Sequence, residues 1–233
     1  MGGVAEGDEA ALLARFGQVK ARIDDSVRAA GRAPGTVRLV AVSKTAPSTA
    51  VLPLLAAGHR RFGENRVQEA ASKWTDLREG WGDLQLHMIG PLQSNKVLQA
   101  VSLFDVIETV DRPKLALALS SAIRQLERRP LCFVEINIGA EPQKAGVLPQ
   151  EADQFIDDCQ RRWDLPLAGL MCIPPQHSAP DEAFHQLAEI AARHGLVELS
   201  MGMSEDFPQA IAAGATMVRI GTAIFGQRPD KPV

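Results

Sequence analysis

Leu39-Val40-Ala41-Val42-Ser43-Lys44 is the stretch on which the fold turns. Four apolar residues run unbroken before the first polar one. Strict alternation would mark a strand with one wet face, whereas an unbroken run marks a parallel strand covered on both faces. Seven further runs follow at Arg61–Gly63, Leu84–Ile89, Phe104–Ile107, Leu131–Asn137, Leu167–Met171, Leu196–Ser200 and Met217–Ile220. Helical stretches lie between them, including Lys114–Leu126 and Asp181–His194. Asp111 is the expected N-cap of the first of these, with Pro113 in its first turn. Ala56-Ala57-Gly58, Ala192-Arg193-His194-Gly195 and Ala212-Ala213-Gly214 each precede a strand, where glycine ends a helix in the left-handed conformation. Eight strand–helix units predict an α/β protein, a single (β/α)8 TIM barrel rather than an open doubly wound sheet.

Upstream, Leu12, Phe16, Val19, Ile23 and Val27 recur at three- and four-residue steps, which predicts an additional N-terminal helix. Asp8 and Glu9 suit its positive end, and Gly31 is its expected stop. The chain has 233 residues, near the roughly 250 of one TIM barrel, so residues 1–233 are expected to form one domain. Ile173–Pro180, with three prolines, reads as a loop inside it.

Composition narrows the setting. Charged residues make up 23% and hydrophobic residues 45%, as in an ordinary globular protein. A net charge of -3 gives no reason to expect nucleic acid or an acidic membrane as partner. Cys132, Cys159 and Cys172 show neither CxxC pairing nor zinc spacing, which suggests free thiols in a reducing compartment. Met1–Glu6 carries no signal-peptide or myristoylation pattern. No apolar run approaches the roughly 20 residues of a membrane span. The expectation is a cytoplasmic protein, with no apolar helix that demands a partner and hence a monomer.

In a TIM barrel, functional groups gather at the C-terminal ends of the strands. Lys44 stands there directly after the first strand, where partial desolvation would free its amine for attack on an aldehyde. Position alone fits a solvated lysine opening a loop even better. Glu64, Asn65, Gln68 and Glu69 follow the second strand, where capping a helix explains them better than lining a pocket does. His87 lies mid-strand and receives no role, because a lone histidine is more often a hydrogen-bonded core residue. Ser200-Met201-Gly202-Met203-Ser204 and Val218-Arg219-Ile220-Gly221-Thr222 end the last two strands. Glycine permits close backbone approach, and Ser204 is expected to begin a helix. Phosphate in this fold is often held by the loops after these two strands, so the pair points to a phosphorylated ligand. The scattered histidines offer no metal site.

Val42-Ser43-Lys44-Thr45, Phe62-Gly63-Glu64-Asn65, His87-Met88-Ile89-Gly90-Pro91-Leu92-Gln93-Ser94-Asn95-Lys96, Gly169-Leu170-Met171, Met201-Gly202-Met203-Ser204 and Arg219-Ile220-Gly221-Thr222 occur in order. Together they resemble the pyridoxal phosphate homeostasis protein family, the YggS/PROSC type, from about Leu39 to Gly226. The resemblance implies a barrel similar to the N-terminal domain of alanine racemase, with pyridoxal 5′-phosphate as cofactor. It further implies a Schiff base on Lys44, phosphate contacts from Ser204, Gly221 and Thr222, Arg219 facing the pyridine nitrogen and Asn65 near the ring. The implied role is to buffer or carry the cofactor in vitamin B6 and amino-acid homeostasis, delivering it to cofactor-requiring apoenzymes, with no firm catalysis. Arg66 stands where many relatives carry tyrosine, and Cys172 where a small or hydroxyl residue is more usual.

Two other activities compete. A racemase needs a base on each face of the substrate carbon, and the related racemases take the second from a tyrosine in another domain. This chain has no tyrosine. A phosphosugar isomerase would need a placed acid and base, for which Glu64 is the one tempting carboxylate. The expectation is therefore a binding protein with no catalytic residue.

Overall fold

Eight short apolar runs cannot leave their backbone groups unpaired, and one closed sheet satisfies them all. The structure, a computed structural model, describes residues 6–175 and 179–226. The strands are β1 (Arg38–Val42), β2 (Arg61–Glu64), β3 (Gln85–Met88), β4 (Val106–Val110), β5 (Leu131–Ile136), β6 (Leu167–Cys172), β7 (Glu198–Ser200) and β8 (Met217–Ile220). Each pairs in parallel with the next, and β8 returns to β1 with Ala41 opposite Ile220. One helix follows each strand in turn. These are α2 (Ser48–Ala56), α3 (Val67–Glu79), α4 (Val97–Leu103), α5 (Pro113–Leu126), α6 (Pro149–Asp157), α7 (Pro180–Arg193), α8 (Phe207–Ala212) and α9 (Thr222–Phe225). The expected TIM barrel is what the chain forms.

The extra helix α1 (Glu6–Ala29) buries the five residues that its periodicity picked out. Full burial of such side chains stabilises by about 1.5–3 kcal/mol each. Polar contacts fix its position: Arg15 Nε donates to the Ile224 carbonyl at 2.8 Å, and Arg32, just beyond the helix, donates to the carbonyls of Ile211 and Ala215. His59 sits edge-on between Phe16 of α1 and Phe62 of β2, at ring distances of 5.2 and 5.0 Å. Burial lowers its pKa to about 4.

Side-chain parity divides the core in two. The larger cluster lies between sheet and helices. The smaller joins Val40, Val106, Phe133, Met171 and Met217, which come from five strands around the ring and meet inside the barrel. The three cysteines are free and buried, and burial raises all three thiol pKa values, to about 12 for Cys132 and Cys172. Among the described residues no helix is long and apolar enough to cross a membrane.

Three local expectations are corrected. β4 begins at Val106 rather than Phe104, because the Phe104 amide is spent closing α4 on the Ala100 carbonyl. Arg112, not Asp111, is the N-cap of α5; its carbonyl takes the Leu115 and Ala116 amides, while the Asp111 carboxylate pairs with Arg112. Ser204 does not begin a helix. The chain makes a turn first, Asp206 accepts from the Met203 amide at 2.6 Å, and α8 starts at Phe207. Met1–Ala5, and Gln176–Ser178 of the expected Ile173–Pro180 loop, lie outside the described residues.

Candidate cofactor site

β1 ends at Val42, and Ser43 and Lys44 follow it. Ser43 turns outward, and its hydroxyl donates to Glu64 Oε1 at 2.7 Å. The same oxygen accepts from Lys73 Nζ at 2.8 Å and Trp74 Nε1 at 2.9 Å, both on α3. Lys73 also donates to the Ser43 carbonyl. Glu64 is thus a fully buried anchor between barrel and helix, neither a cap nor a group facing substrate. Lys44 lines a pocket with Thr45, Ser48, Glu69 and Ser72. Lys44 is partly buried in the turn after β1.

The neighbouring strand brings the second part. A Cβ on Gly221 would stand 3.1 Å from the Val42 carbonyl oxygen and 3.2 Å from Val42 Cβ, so β8 lies close against the chain two residues before Lys44. Thr222 opens α9, whose first amides have no carbonyl of their own helix to meet. Gly202 holds φ +94°, and a Cβ there would lie 2.6 Å from Ala210 Cβ. The Arg219 amide donates to the Gly202 carbonyl at 3.0 Å, joining the loop after β7 to β8. Ser204 is partly buried in the first of these loops, and Thr222 is exposed at the end of the second. Asn65 follows β2, partly buried, with its backbone packed so closely on Gly90 that a Cβ there would stand 2.4 Å from the Asn65 carbonyl oxygen. The candidate residues therefore gather at one mouth of the barrel.

Directly beneath them runs a polar layer that joins the predicted Arg219 to Ser200, Glu108 and His87, a connection that sequence reasoning missed. Arg219 is 5% exposed; its Nη1 donates to Ser200 Oγ at 2.7 Å and its Nη2 to the Cys172 carbonyl at 2.9 Å. Ser200 Oγ donates to Glu108 Oε2 at 2.5 Å, and His87 Nδ1 lies 2.7 Å from Glu108 Oε1. Burial alone would raise the Glu108 pKa, but His87, Arg219 and the Ser200 hydroxyl together hold it below the ordinary carboxylate range. An ionised Glu108 accepts, so His87 carries its proton on Nδ1. Two of the five guanidinium N–H donors of Arg219 are used in this network. One step round the barrel, Glu135 is 7% exposed, and its Oε2 has no hydrogen-bond partner. Burial first, then Asp111 and Glu108, raise its pKa to about 7. The signal for both carboxylates was a lone glutamate in an apolar strand, in Ile107-Glu108-Thr109 and Val134-Glu135-Ile136. Among the described residues no cluster of three metal-ligating side chains occurs.

A closed barrel with an amine, a guanidinium and paired glycine loops at one mouth defines a class, and comparison with known proteins agrees. Residues 17–229 match the family described as alanine racemase, N-terminal domain. The chain is 43% identical over 221 residues to the pyridoxal phosphate homeostasis protein of Vibrio cholerae, covering 90% of this chain and 93% of that one. It is 40% identical over 225 residues to the protein of the same name in Escherichia coli K12, covering 91% and 94%. PipY of Synechococcus elongatus, solved with PLP bound, superposes with a TM-score of 0.75 at 36% identity, covering 88% of this chain and all of that one. A protein of unknown function from Bifidobacterium adolescentis superposes at 0.89 with 30% identity, covering 95% and 97%. The chain belongs to the pyridoxal phosphate homeostasis protein family.

Proposed function

We propose that this chain, acting as one domain, holds pyridoxal 5′-phosphate by a Schiff base on Lys44. It buffers or carries the cofactor in vitamin B6 and amino-acid homeostasis and performs no catalytic reaction of its own. The observation that carries this reading is the near full-length likeness to pyridoxal phosphate homeostasis proteins and to PipY solved with PLP bound, with Gly221 packed on Val42 two residues before Lys44. Lys44, the Arg219 guanidinium and the first amides of α9 are the donor set that an anionic aldehyde needs. When bound, the cofactor supplies the aldehyde carbon that Lys44 bonds.

Each residue has its part. Ser204, Gly221 and Thr222 meet the phosphate by hydroxyl and amide donors. The Asp206 carboxylate near Ser204 is occupied by the Met203 amide, which limits its opposition to an anion. Arg219, fixed from below by Ser200 and the Cys172 carbonyl, presents its remaining donors to the pyridine nitrogen. A guanidinium stays protonated, so it gives that nitrogen a hydrogen bond but no proton. Asn65 stands near the ring. Recipients are cofactor-requiring apoenzymes, and the setting is a cytoplasmic monomer.

The test is borohydride reduction of cofactor-loaded protein followed by mass mapping. The pyridoxyl-phosphate group is expected on Lys44, with the absorption band of the bound cofactor lost in Lys44→Ala. Labelling at Lys96 or Lys144 with Lys44 unmodified would overturn the assignment. The competing racemase reading requires exchange of the α-hydrogen of alanine in deuterated water. Turnover in the usual enzyme range, about 1–1000 per second, would establish it.

A further inference from the structure

Glu135 is the one feature of the barrel mouth that the cofactor assignment leaves unused. It lines a cavity of about 190 Å³, well beyond the ~30 Å³ share of a single water. The cavity walls include Ile89, Pro91 and Ile173, with Asn65 at one side and Lys144 at another. Buried polar groups are almost always hydrogen-bonded, so a carboxyl oxygen with no partner calls for one from outside the chain.

The neighbouring charges define what that partner is. Glu108 of β4 and Asp111 just after it add negative potential at Glu135, and Arg219 of β8 opposes them; Cys172 of β6 feels the Glu135 charge but packs in the outer core cluster. Arg219 is already shared with Ser200, Glu108 and the Cys172 carbonyl. Asp111 is paired with Arg112. The Lys144 ammonium is committed to Glu141 and to the Pro174 carbonyl at 2.9 Å, so it does not neutralise Glu135. The unmet need is a cationic donor with an apolar stem.

We propose that this cavity is a binding site for an unbranched primary alkylamine of about the length of a lysine side chain. Its ammonium group meets Glu135, and its methylenes lie along Ile89, Pro91 and Ile173. Because Asn65 is shared with the cofactor assignment, an amine lodged here stands beside the place of the ring, where an amine that receives the cofactor would have to wait. The lining residues all belong to this chain and Lys44 is not among them, so the test uses cofactor-free protein and fails or succeeds separately from the Lys44 assignment.

Calorimetric titration with n-butylamine at pH 8, where both ammonium and Glu135 carboxylate are charged, is expected to show saturable binding. Glu135→Gln should weaken it at least tenfold, and tert-butylamine, equally charged but with no straight stem to lie along Ile89, Pro91 and Ile173, should bind at least tenfold more weakly. Affinity should also fall at pH 6, where Glu135 is protonated. Equal binding by the variant, by tert-butylamine or at both pH values would overturn the proposal. Should Glu135→Gln fold poorly, carboxyl-carbon NMR of the wild type decides: n-butylamine must move the Glu135 titration to lower pH, and an unmoved titration refutes the site.

Discussion

Arg219 and Glu108 sit on opposite sides of one hydroxyl: Ser200 accepts from the guanidinium and donates to the carboxylate. The three side chains come from β8, β7 and β4, and His87 of β3 completes the chain across the barrel.

Removing one member of such a buried set leaves an uncompensated charge, which typically costs about 3–5 kcal/mol. Glu108→Ala is expected to destabilise by that order in urea denaturation. Ser200→Ala should cost about 1–3 kcal/mol, because it strips both hydrogen bonds of the hydroxyl while the ions remain. A double-mutant cycle between the two should show coupling above 0.5 kcal/mol. Additive effects would mean that the hydroxyl does not join Glu108 to Arg219.

Cofactor affinity should depend strongly on the phosphate. Each charge-assisted hydrogen bond contributes about 1.5–3 kcal/mol, and unphosphorylated pyridoxal leaves those donors unmatched. Pyridoxal should bind far more weakly than its phosphate, and Ser204→Ala with Thr222→Ala should narrow the gap. Gly221→Val should weaken both ligands by pressing a side chain on Val42. Absorbance titration reads all of these, and an unchanged ratio in the double variant would place the phosphate elsewhere.

Glu135 predicts an alkaline loss of stability. Its folded pKa of about 7 lies above the ordinary 4.5, so between these values the folded chain binds more protons than the unfolded one. Stability then falls as pH rises through that window, by on the order of 3 kcal/mol. Glu135→Gln should remove this slope and be the more stable protein at pH 8. Parallel urea curves for the two across pH 5–8 would contradict the burial of an ionisable carboxyl.

His59 predicts the opposite slope. Its folded pKa of about 4 lies below the ordinary 6.5, so the unfolded chain binds more protons in that window. Stability is retained above pH 6.5 and lost toward pH 4, by on the order of 2 kcal/mol after allowing for partial exposure. His59→Gln should flatten the acid limb at the cost of its packing on Phe16 and Phe62. Thermal melts between pH 4 and 7 measure it.

The unbroken run Leu39–Val42 announced a buried parallel strand, and with it the place of Lys44. Gly221 and Gly202 were legible because close backbone approach admits no side chain. Glu108 was visible as a charge inside an apolar strand, yet its partner Ser200 is 92 residues away, and no local pattern encodes that distance. Glu64 misled for a different reason: its partners Lys73 and Trp74 are near in sequence, but its strand-end position did not reveal that its side chain turns outward to the next helix. Ser204 and Asp111 failed at the scale of one turn, where a competing carboxylate or backbone bond decides which residue caps.

The bonds that hold α1 also order events in time. Arg15 reaches a carbonyl 209 residues away, and Arg32 reaches carbonyls 179 and 183 residues away. Closing loops of that length is entropically costly until the intervening chain has organised. On the ribosome, the first helix is made long before its acceptors exist. Phe16 meets His59 early, but the part of the apolar stripe that packs on α8 and α9 stays uncovered until seven strands have been made, an interval in which a chaperone has a defined surface to hold.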